Sequence, residues 1–203
     1  MMGLALSDVN HPIVRRPLVS QVEQHVFDAI FGRRSVRAYL EGRDVEPAKI
    51  RRLLEAAMAA PSACNLQPWE FIVVTDPERV RAIKDSIARW GDYNAPLIIV
   101  VCGDPDRIPW DGDHGVLDCA AAIENMLIAA PALGLGGVWI GGFDRQAIRN
   151  LLEIPEPVVP VGVVYVGYPA EAHAPRTKYL DEAVHWQVYD AERERHPRPG
   201  RIV

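Results

Sequence analysis

The sequence predicts one domain of the α+β or α/β class, and three observations support this fold class. Four short apolar segments rich in β-branched residues, at 71–74, 97–101, 138–140 and 158–166, have the composition of strands. Segments with apolar residues at helical spacing lie before and between them. The 203 residues, 49% of them hydrophobic, suffice for one substantial core, and they show no internal repeat.

The helices are predicted from apolar spacing and from the residues that begin and end helices. Gly32 is a typical stop after the first helix, and Pro47 occupies a favourable first-turn position in the second. Asp144 is an N-cap residue for the last helix. The predicted helices lie at 22–31, from Pro47 to Pro61, from Asp76-Pro77 onward, at 115–130, and from Asp144 to Leu152.

The segment 115–130 is the most apolar of these helices. Its apolar residues cover so much of the helical surface that we expect burial almost all round, in a core or an interface. Glu124, Asn125 and Pro131 interrupt the apolar run, so we predict no segment that crosses a membrane. Because proline lacks the N–H that would bond the Leu127 carbonyl, Pro131 is expected to bend or end the helix.

Charge and composition exclude several classes of function. The net charge of -5 and an isoelectric point near 5.7 argue against a nucleic-acid-binding surface. Three widely spaced cysteines predict neither a disulfide framework nor a zinc site, which fits a cytoplasmic location. The first eight residues lack the pattern of a signal peptide. The chain contains no HExxH motif, Gly-x-Ser-x-Gly elbow or Walker loop, so metal and hydrolase chemistry are disfavoured.

The segment 59–71 is the most informative part of the chain. Pro61 and Pro68 stiffen its backbone, while Asn65 and Gln67 each offer a carbonyl acceptor and an amide donor. Such groups suit a planar ligand whose ring edge carries alternating acceptors and donors. The alternative is a helix end followed by a proline turn, with its aromatic residues in the core.

Basic and glycine-rich segments supply two more candidate sites. The run Arg33-Arg34-Ser35-Val36-Arg37 suits a phosphate monoester, although a solvent-facing helix end would have the same composition. Arg176 and Lys178 form a second basic pair that could converge on the same anion. Ile140-Gly141-Gly142 follows a strand and precedes a helix, so its amides face either a cleft or an ordinary turn.

Taken in order, these motifs resemble the nitroreductase family of FMN-dependent oxidoreductases. The resemblance runs from about Phe27 to Trp186. It is carried by Arg33-Arg34-Ser35-x-Arg37, Pro61-Ser62-x-x-Asn65-x-Gln67-Pro68-Trp69, Asn125, Leu133-Gly134-Leu135-Gly136, Trp139-Ile140-Gly141-Gly142, Pro175-Arg176-Thr177-Lys178 and His185-Trp186. It implies an α+β fold with a central, mainly antiparallel sheet flanked by helices. It also implies an intertwined homodimer that binds two FMN molecules at the subunit interface, with helix 115–130 in the contact.

The resemblance also implies roles for individual residues. The FMN phosphate would be held by Arg33, Ser35, Arg176 and Lys178, with help from Arg34, and Arg37 would lie near the pyrimidine edge of the flavin. The flavin of the other subunit would be contacted by Pro61, Ser62, Ala63, Asn65 and Gln67. Against the ring would lie Ile140, Gly141 and Gly142, with a backbone amide there bonding flavin N5. No catalytic side chain and no metal are expected.

The implied activity is hydride transfer from NADH or NADPH, followed by ping-pong reduction of a nitroaromatic, a quinone or another small electron-poor acceptor. Two alternatives remain open: a dehalogenase or flavin-fragmenting enzyme of the same fold, and a flavin-binding regulatory module without turnover. The predicted organisation is an N-terminal arm at 1–20, one FMN-binding domain at 21–186, and a C-terminal tail at 187–203.

Overall fold

A computed structural model describes residues 21–87, 93–108, 113–171 and 179–194. The chain divides into two compact units, residues 1–173 and 174–203. The first unit holds the sheet and the helices that accompany it. The N-terminal arm, Arg176 and Lys178 lie outside the described residues, and so does the C-terminal tail beyond 194.

Within the described residues, four strands form one antiparallel sheet in the order β1-β2-β4-β3. The strands are β1 (Trp69–Val74), β2 (Leu97–Gly103), β3 (Gly136–Ile140) and β4 (Val159–Gly167). β2 and β4 occupy the centre and are almost entirely buried, as their continuous β-branched sequences require. β1 and β3 are therefore the two edges of this sheet, and the predicted antiparallel arrangement is confirmed.

Five helices accompany the sheet in the part of the chain that the structure describes. They are α1 (Gln21–Gly32), α2 (Pro47–Met58), α3 (Pro77–Ser86), α4 (His114–Ala132) and α5 (Arg145–Leu152). One hydrophobic core joins α2 and α4 to side chains such as Ile99 and Val164. A second core joins α3 and α5 to Val100 and Val163, which alternate with the first set along the strands. Helices thus cover both faces of the sheet.

The long helix α4 lies in the first core. Eight of its residues are buried, and its apolar length would also allow it to cross a bilayer by composition alone. The helix ends one residue after Pro131, in a Schellman motif: the amides of Gly134 and Leu135 bond the carbonyls of Pro131 and Ala130. Gly134 has the left-handed φ of 71° that this motif needs. Pro131 therefore marks the end of α4.

The start of β3 differs from the sequence-based prediction. The strand was predicted at 138–140, but Gly136 and Gly137 also belong to it. A Cβ on Gly136 would lie 2.4 Å from Val36 Cγ2, and one on Gly137 would lie 2.8 Å from the Tyr165 carbonyl oxygen. These glycines allow neighbouring chain segments to approach closely. From the sequence alone, a glycine in this role cannot be distinguished from a glycine in a turn.

The described part of the second unit, residues 179–194, is held by its own contacts. It contains one 3-10 turn, Asp181–Ala183. The Arg193 guanidinium donates to the carbonyl oxygens of Asp181 and Val184. The rings of His185 and Tyr189 stack with their centroids 4.3 Å apart.

Candidate functional site

The basic segment 33–37 lies along the β3 edge of the sheet. Ser35 forms a parallel bridge with Gly137, and the Val36 amide donates to the Gly137 carbonyl at 3.0 Å. The buried Tyr39 hydroxyl donates to the Val36 carbonyl at 2.7 Å, and burial raises the pKa of this hydroxyl far above its usual value. The pairing of Ser35 and Val36 with a strand disfavours the alternative of a freely solvated helix end.

The three arginines of this segment are in different environments. The Arg33 side chain is partly buried, and its Nε lies 3.0 Å from Glu124 Oε1 on α4. Arg34 donates to the Phe31 carbonyl at 2.7 Å. Arg37 is exposed and donates to the Ser35 carbonyl at 3.2 Å. The three arginines place positive charge along the β3 edge of the sheet. Glu124 partly offsets this charge through its ion pair with Arg33.

The loop that joins α2 to β1 carries the second predicted group of site residues. Pro61, Asn65 and Gln67 are exposed, whereas Ser62 and Ala63 are partly buried. Ser62 Oγ accepts from the Gln67 amide at 3.0 Å, and Gln67 Nε2 donates to Asn65 Oδ1 at 3.0 Å. Asn65 Nδ2 and Gln67 Oε1 have no hydrogen-bond partner among the residues that the structure describes, so each can serve a ligand.

The backbone of this loop is strained. Cys64, Asn65 and Gln67 have φ values of 48°, 57° and 51°, in the left-handed region that glycine favours. Asparagine adopts this region more readily than most residues, but cysteine and glutamine do not. Strain of this kind persists only where surrounding contacts impose it, and it is concentrated at functional sites. This observation disfavours the simple proline turn.

One carboxylate on α4 contacts the loop. Asp118 Oδ1 and Oδ2 lie 3.1 and 3.2 Å from the Ala63 amide nitrogen, which donates to them. Asp118 is only 8% exposed and is the one buried charged residue among those that the structure describes. This residue was not among the predicted site residues. The available signal was an acidic residue within the apolar run of a helix.

Ile140 is the last residue of β3, and Gly141 and Gly142 follow it. Gly141 and Gly142 are exposed, and a Cβ on either would meet nothing within 4 Å. The Asp144 side chain caps α5 by accepting from the amides of Gln146 and Ala147. The backbone before α5 is therefore open to a ligand, and the helix after it is capped by its own side chain rather than by an external anion.

Two of the three described groups lie at one edge of the sheet, and the third lies at the other. The segments 33–37 and 140–142 both adjoin β3, whereas 61–67 precedes β1. Three interstrand spacings separate the edges, which amounts to about 14 Å within one chain. The basic segment and the glycine segment thus adjoin the same edge strand, whereas the amide loop adjoins the strand at the opposite edge.

The α+β architecture is accompanied by similarity to a known family. The model of the nitroreductase family matches residues 30–96 and 91–168. The chain therefore belongs to the nitroreductase family, a family of oxidoreductases, as its sequence motifs suggested. The matched region ends before residues 169–186, which the sequence resemblance had included.

Relatives and solved structures agree with this assignment. A protein named "Putative NADH dehydrogenase/NAD(P)H nitroreductase" from Archaeoglobus fulgidus is 45% identical over 148 residues, which are 70% of this chain and 84% of the relative. The "FMN reductase [NAD(P)H]" of Bacillus subtilis is 30% identical over 80% of this chain and 73% of its own length. The structure of an "FMN-dependent Nitroreductase" from Clostridium difficile superimposes with a TM-score of 0.70 at 29% identity, covering 80% of this chain and 99% of the other.

The chemistry of the described residues fits FMN. A phosphate needs several cationic or hydroxyl donors, which the segment 33–37 supplies on one strand edge. A flavin ring needs an open backbone and amide partners. The open backbone is present at 141–142, and the side-chain amides are those of Asn65 and Gln67.

Proposed function

We propose that the protein is an FMN-dependent NAD(P)H oxidoreductase that reduces small electron-poor acceptors such as nitroaromatics or quinones. The observation that supports this most strongly is the pairing of Ser35 and Val36 with Gly137, in a chain of the nitroreductase family. The pairing places the basic segment beside the strand that leads to Gly141 and Gly142. FMN, when bound, would supply two-electron redox chemistry, accepting hydride from NAD(P)H and delivering electrons to the acceptor.

In this proposal the chain binds and orients the cofactor. Arg33 and Ser35 bind the phosphate, with Arg34 beside them, and Arg37 supplies positive charge close to the ring. Arg176 and Lys178 are proposed as further phosphate ligands on the basis of the sequence alone. The backbone amides at 141–142 orient the ring edge, and the lack of side chains there permits close approach.

We propose a homodimer whose two sites each combine both sheet edges. Within one chain the edges lie about 14 Å apart, so the amide loop would reach the flavin bound by the partner's basic segment. The described part of α1 presents an apolar face suited to this contact: Val26, Phe27, Ile30 and Phe31 are 43–63% exposed. Helix α1 itself contacts α4. A patch of this kind typically marks a protein interface.

The direct test is to measure flavin content and reduction. The purified protein should carry or rebind FMN, and NADH or NADPH should bleach the flavin anaerobically. A nitroaromatic or a quinone should then restore the oxidised spectrum. A folded protein that fails to bind FMN would contradict the proposal. Flavin that is bound but not reduced by either nicotinamide would instead support the regulatory module.

Subunit complementation tests the shared site. In a heterodimer of an Arg33→Ala chain and an Asn65→Ala chain, one site would contain both substitutions and the other site neither. We therefore expect one high-affinity FMN per heterodimer, whereas both homodimeric variants should bind weakly. If each site belonged to a single chain, the heterodimer would have no intact site. Wild-type affinity in both homodimers would contradict the proposed roles of the two residues.

A further inference from the structure

The strained loop 62–67 needs an external restraint. Three of its six residues have left-handed φ values, and the hydrogen bonds between Ser62 and Gln67 and between Gln67 and Asn65 are internal to it. Internal bonds can select a shape, but they cannot fix that shape relative to the rest of the molecule. The bonds from Ala63 to Asp118 connect the loop to a core helix.

Asp118 is well placed for this purpose. It lies one turn into α4, next to the buried Cys119, and is itself 8% exposed. A buried side chain has few accessible rotamers, so the position of its carboxylate is defined by the core. A carboxylate also accepts a stronger hydrogen bond from a backbone amide than a neutral oxygen does, and here both of its oxygens share the Ala63 amide.

We infer that Asp118 is a positioning residue for the flavin-contacting loop. By accepting from the Ala63 amide, it anchors the start of the left-handed turn and so fixes where Asn65 and Gln67 present their amides. This inference rests on the proposed function, because the loop contacts flavin only if the protein binds FMN. In the proposed dimer, Asp118 of one chain would affect the FMN held mainly by the other.

Two substitutions separate positioning from general stability. Asp118→Ala removes both acceptor atoms, whereas Asp118→Asn keeps one acceptor without the charge. Deuterium uptake of the peptide containing residues 61–68 should be faster in Asp118→Ala without any cofactor present. FMN binding, measured by flavin fluorescence, should weaken about tenfold, since a charge-assisted hydrogen bond is lost. Asp118→Asn should restore part of both effects.

Asn125→Ala is the matched control. Asn125 also lies on α4, and its amide donates to the Ala56 carbonyl of α2 at 3.2 Å. This substitution removes a polar contact of α4 that does not involve the loop. We expect it to change the thermal midpoint while leaving both the deuterium uptake at 61–68 and the FMN affinity within about twofold of wild type.

The outcomes distinguish this inference from the proposed function. If wild type binds FMN and both Asp118 variants bind it equally well, the positioning role is wrong and the proposed function stands. The positioning role is equally wrong if both variants lower only the thermal midpoint. If wild type does not bind FMN at all, the proposed function fails, whatever the uptake at 61–68 shows. Faster uptake, weaker FMN binding and partial rescue by Asp118→Asn together support the inference.

Discussion

The two edges of the sheet present site residues by different means. At the β3 edge, glycines allow segments to approach closely, and the basic segment is held by backbone pairing with Gly137. At the β1 edge, non-glycine residues are held in left-handed conformations, and a buried carboxylate anchors the loop. The first edge relies on missing side chains and the second on imposed strain. Replacing a closely packed glycine should therefore destabilise the β3 edge, whereas introducing glycine at a left-handed position should stabilise the β1 edge.

The largest expected difference is in thiol reactivity. Cys64 in the β1-edge loop is exposed, whereas Cys102 and Cys119 are buried, and burial raises the pKa of both buried thiols to about 12. With a disulfide reagent at pH 8, Cys64 should react roughly a thousandfold or more faster than the other two, which need the core to open. Only thiolate reacts, and the raised pKa is lost when the core opens. The slow labelling of Cys102 and Cys119 should therefore depend on pH as the labelling of an ordinary exposed thiol does.

Repeating the thiol labelling with added FMN tests whether the β1-edge loop contacts the flavin. If the loop contacts flavin, FMN should slow the labelling of Cys64 without affecting the slow phase. Denatured protein supplies the control, since all three thiols should then react together. If saturating FMN leaves the rapid labelling of Cys64 unchanged, the β1-edge loop does not contact the bound flavin.

At the β3 edge, adding one methyl group should be costly. A Cβ on Gly137 would lie 2.8 Å from the Tyr165 carbonyl oxygen and 3.0 Å from Leu127 Cδ2. Gly137→Ala should therefore lower the free energy of unfolding by about 1–3 kcal/mol, as overpacking typically does. Urea denaturation measures this quantity. Gly32→Ala is the control because a Cβ there meets nothing within 4 Å, and an equal loss in both variants would contradict the close approach.

Introducing glycine at the β1 edge and replacing glycine at the β3 edge should both change the free energy of unfolding, but for different reasons. Cys64→Gly removes a left-handed non-glycine residue, and we expect a gain of roughly 0.5–1 kcal/mol in the free energy of unfolding. Gly141 lies in open space without a positive φ, so Gly141→Ala should also stabilise, by about 0.4–1 kcal/mol, through the unfolded chain. Alanine at position 64, in contrast, should give no gain over cysteine. A Cys64→Gly variant no more stable than wild type would contradict strain at this residue.

The smallest expected effect concerns the ion pair of the β3 edge. Arg33 and Glu124 are 30% and 47% exposed, so Glu124→Gln should cost only about 0.2–1 kcal/mol, and less at high salt. Loss of Glu124 also frees the Arg33 guanidinium, and FMN affinity should rise slightly. Weaker FMN binding in Glu124→Gln would mean that the carboxylate orients Arg33 instead of competing for it.

Local signals in the sequence predicted most of the fold. The strands β2 and β4, the capping of α5 by Asp144 and the end of α4 near Pro131 all follow from residue type and spacing. The start of β3 was misjudged, because Gly136 and Gly137 serve contacts with residues far away in the chain. The family and the antiparallel sheet are confirmed, whereas the homodimer stays a prediction.

The site was less accessible to sequence reasoning. Residue types identified the basic segment and the amide loop, but not their placement at opposite edges, which depends on strand order. The left-handed φ values at Cys64 and Gln67 contradict local preference, so no local rule predicts them. Asp118 can be recognised as a candidate site residue only when its long-range hydrogen bond with the Ala63 amide is known. The predicted roles of Arg176 and Lys178 remain predictions.

Helix α4 constrains how this chain can change in length. Through Asp118, Glu124 and Asn125, the same helix contacts the loop, the basic segment and α2. Inserting or deleting one residue within it would rotate everything beyond that point by about 100°, and these contacts could not all be kept. Natural length variation in this chain should therefore be found in its loops and not within 114–132.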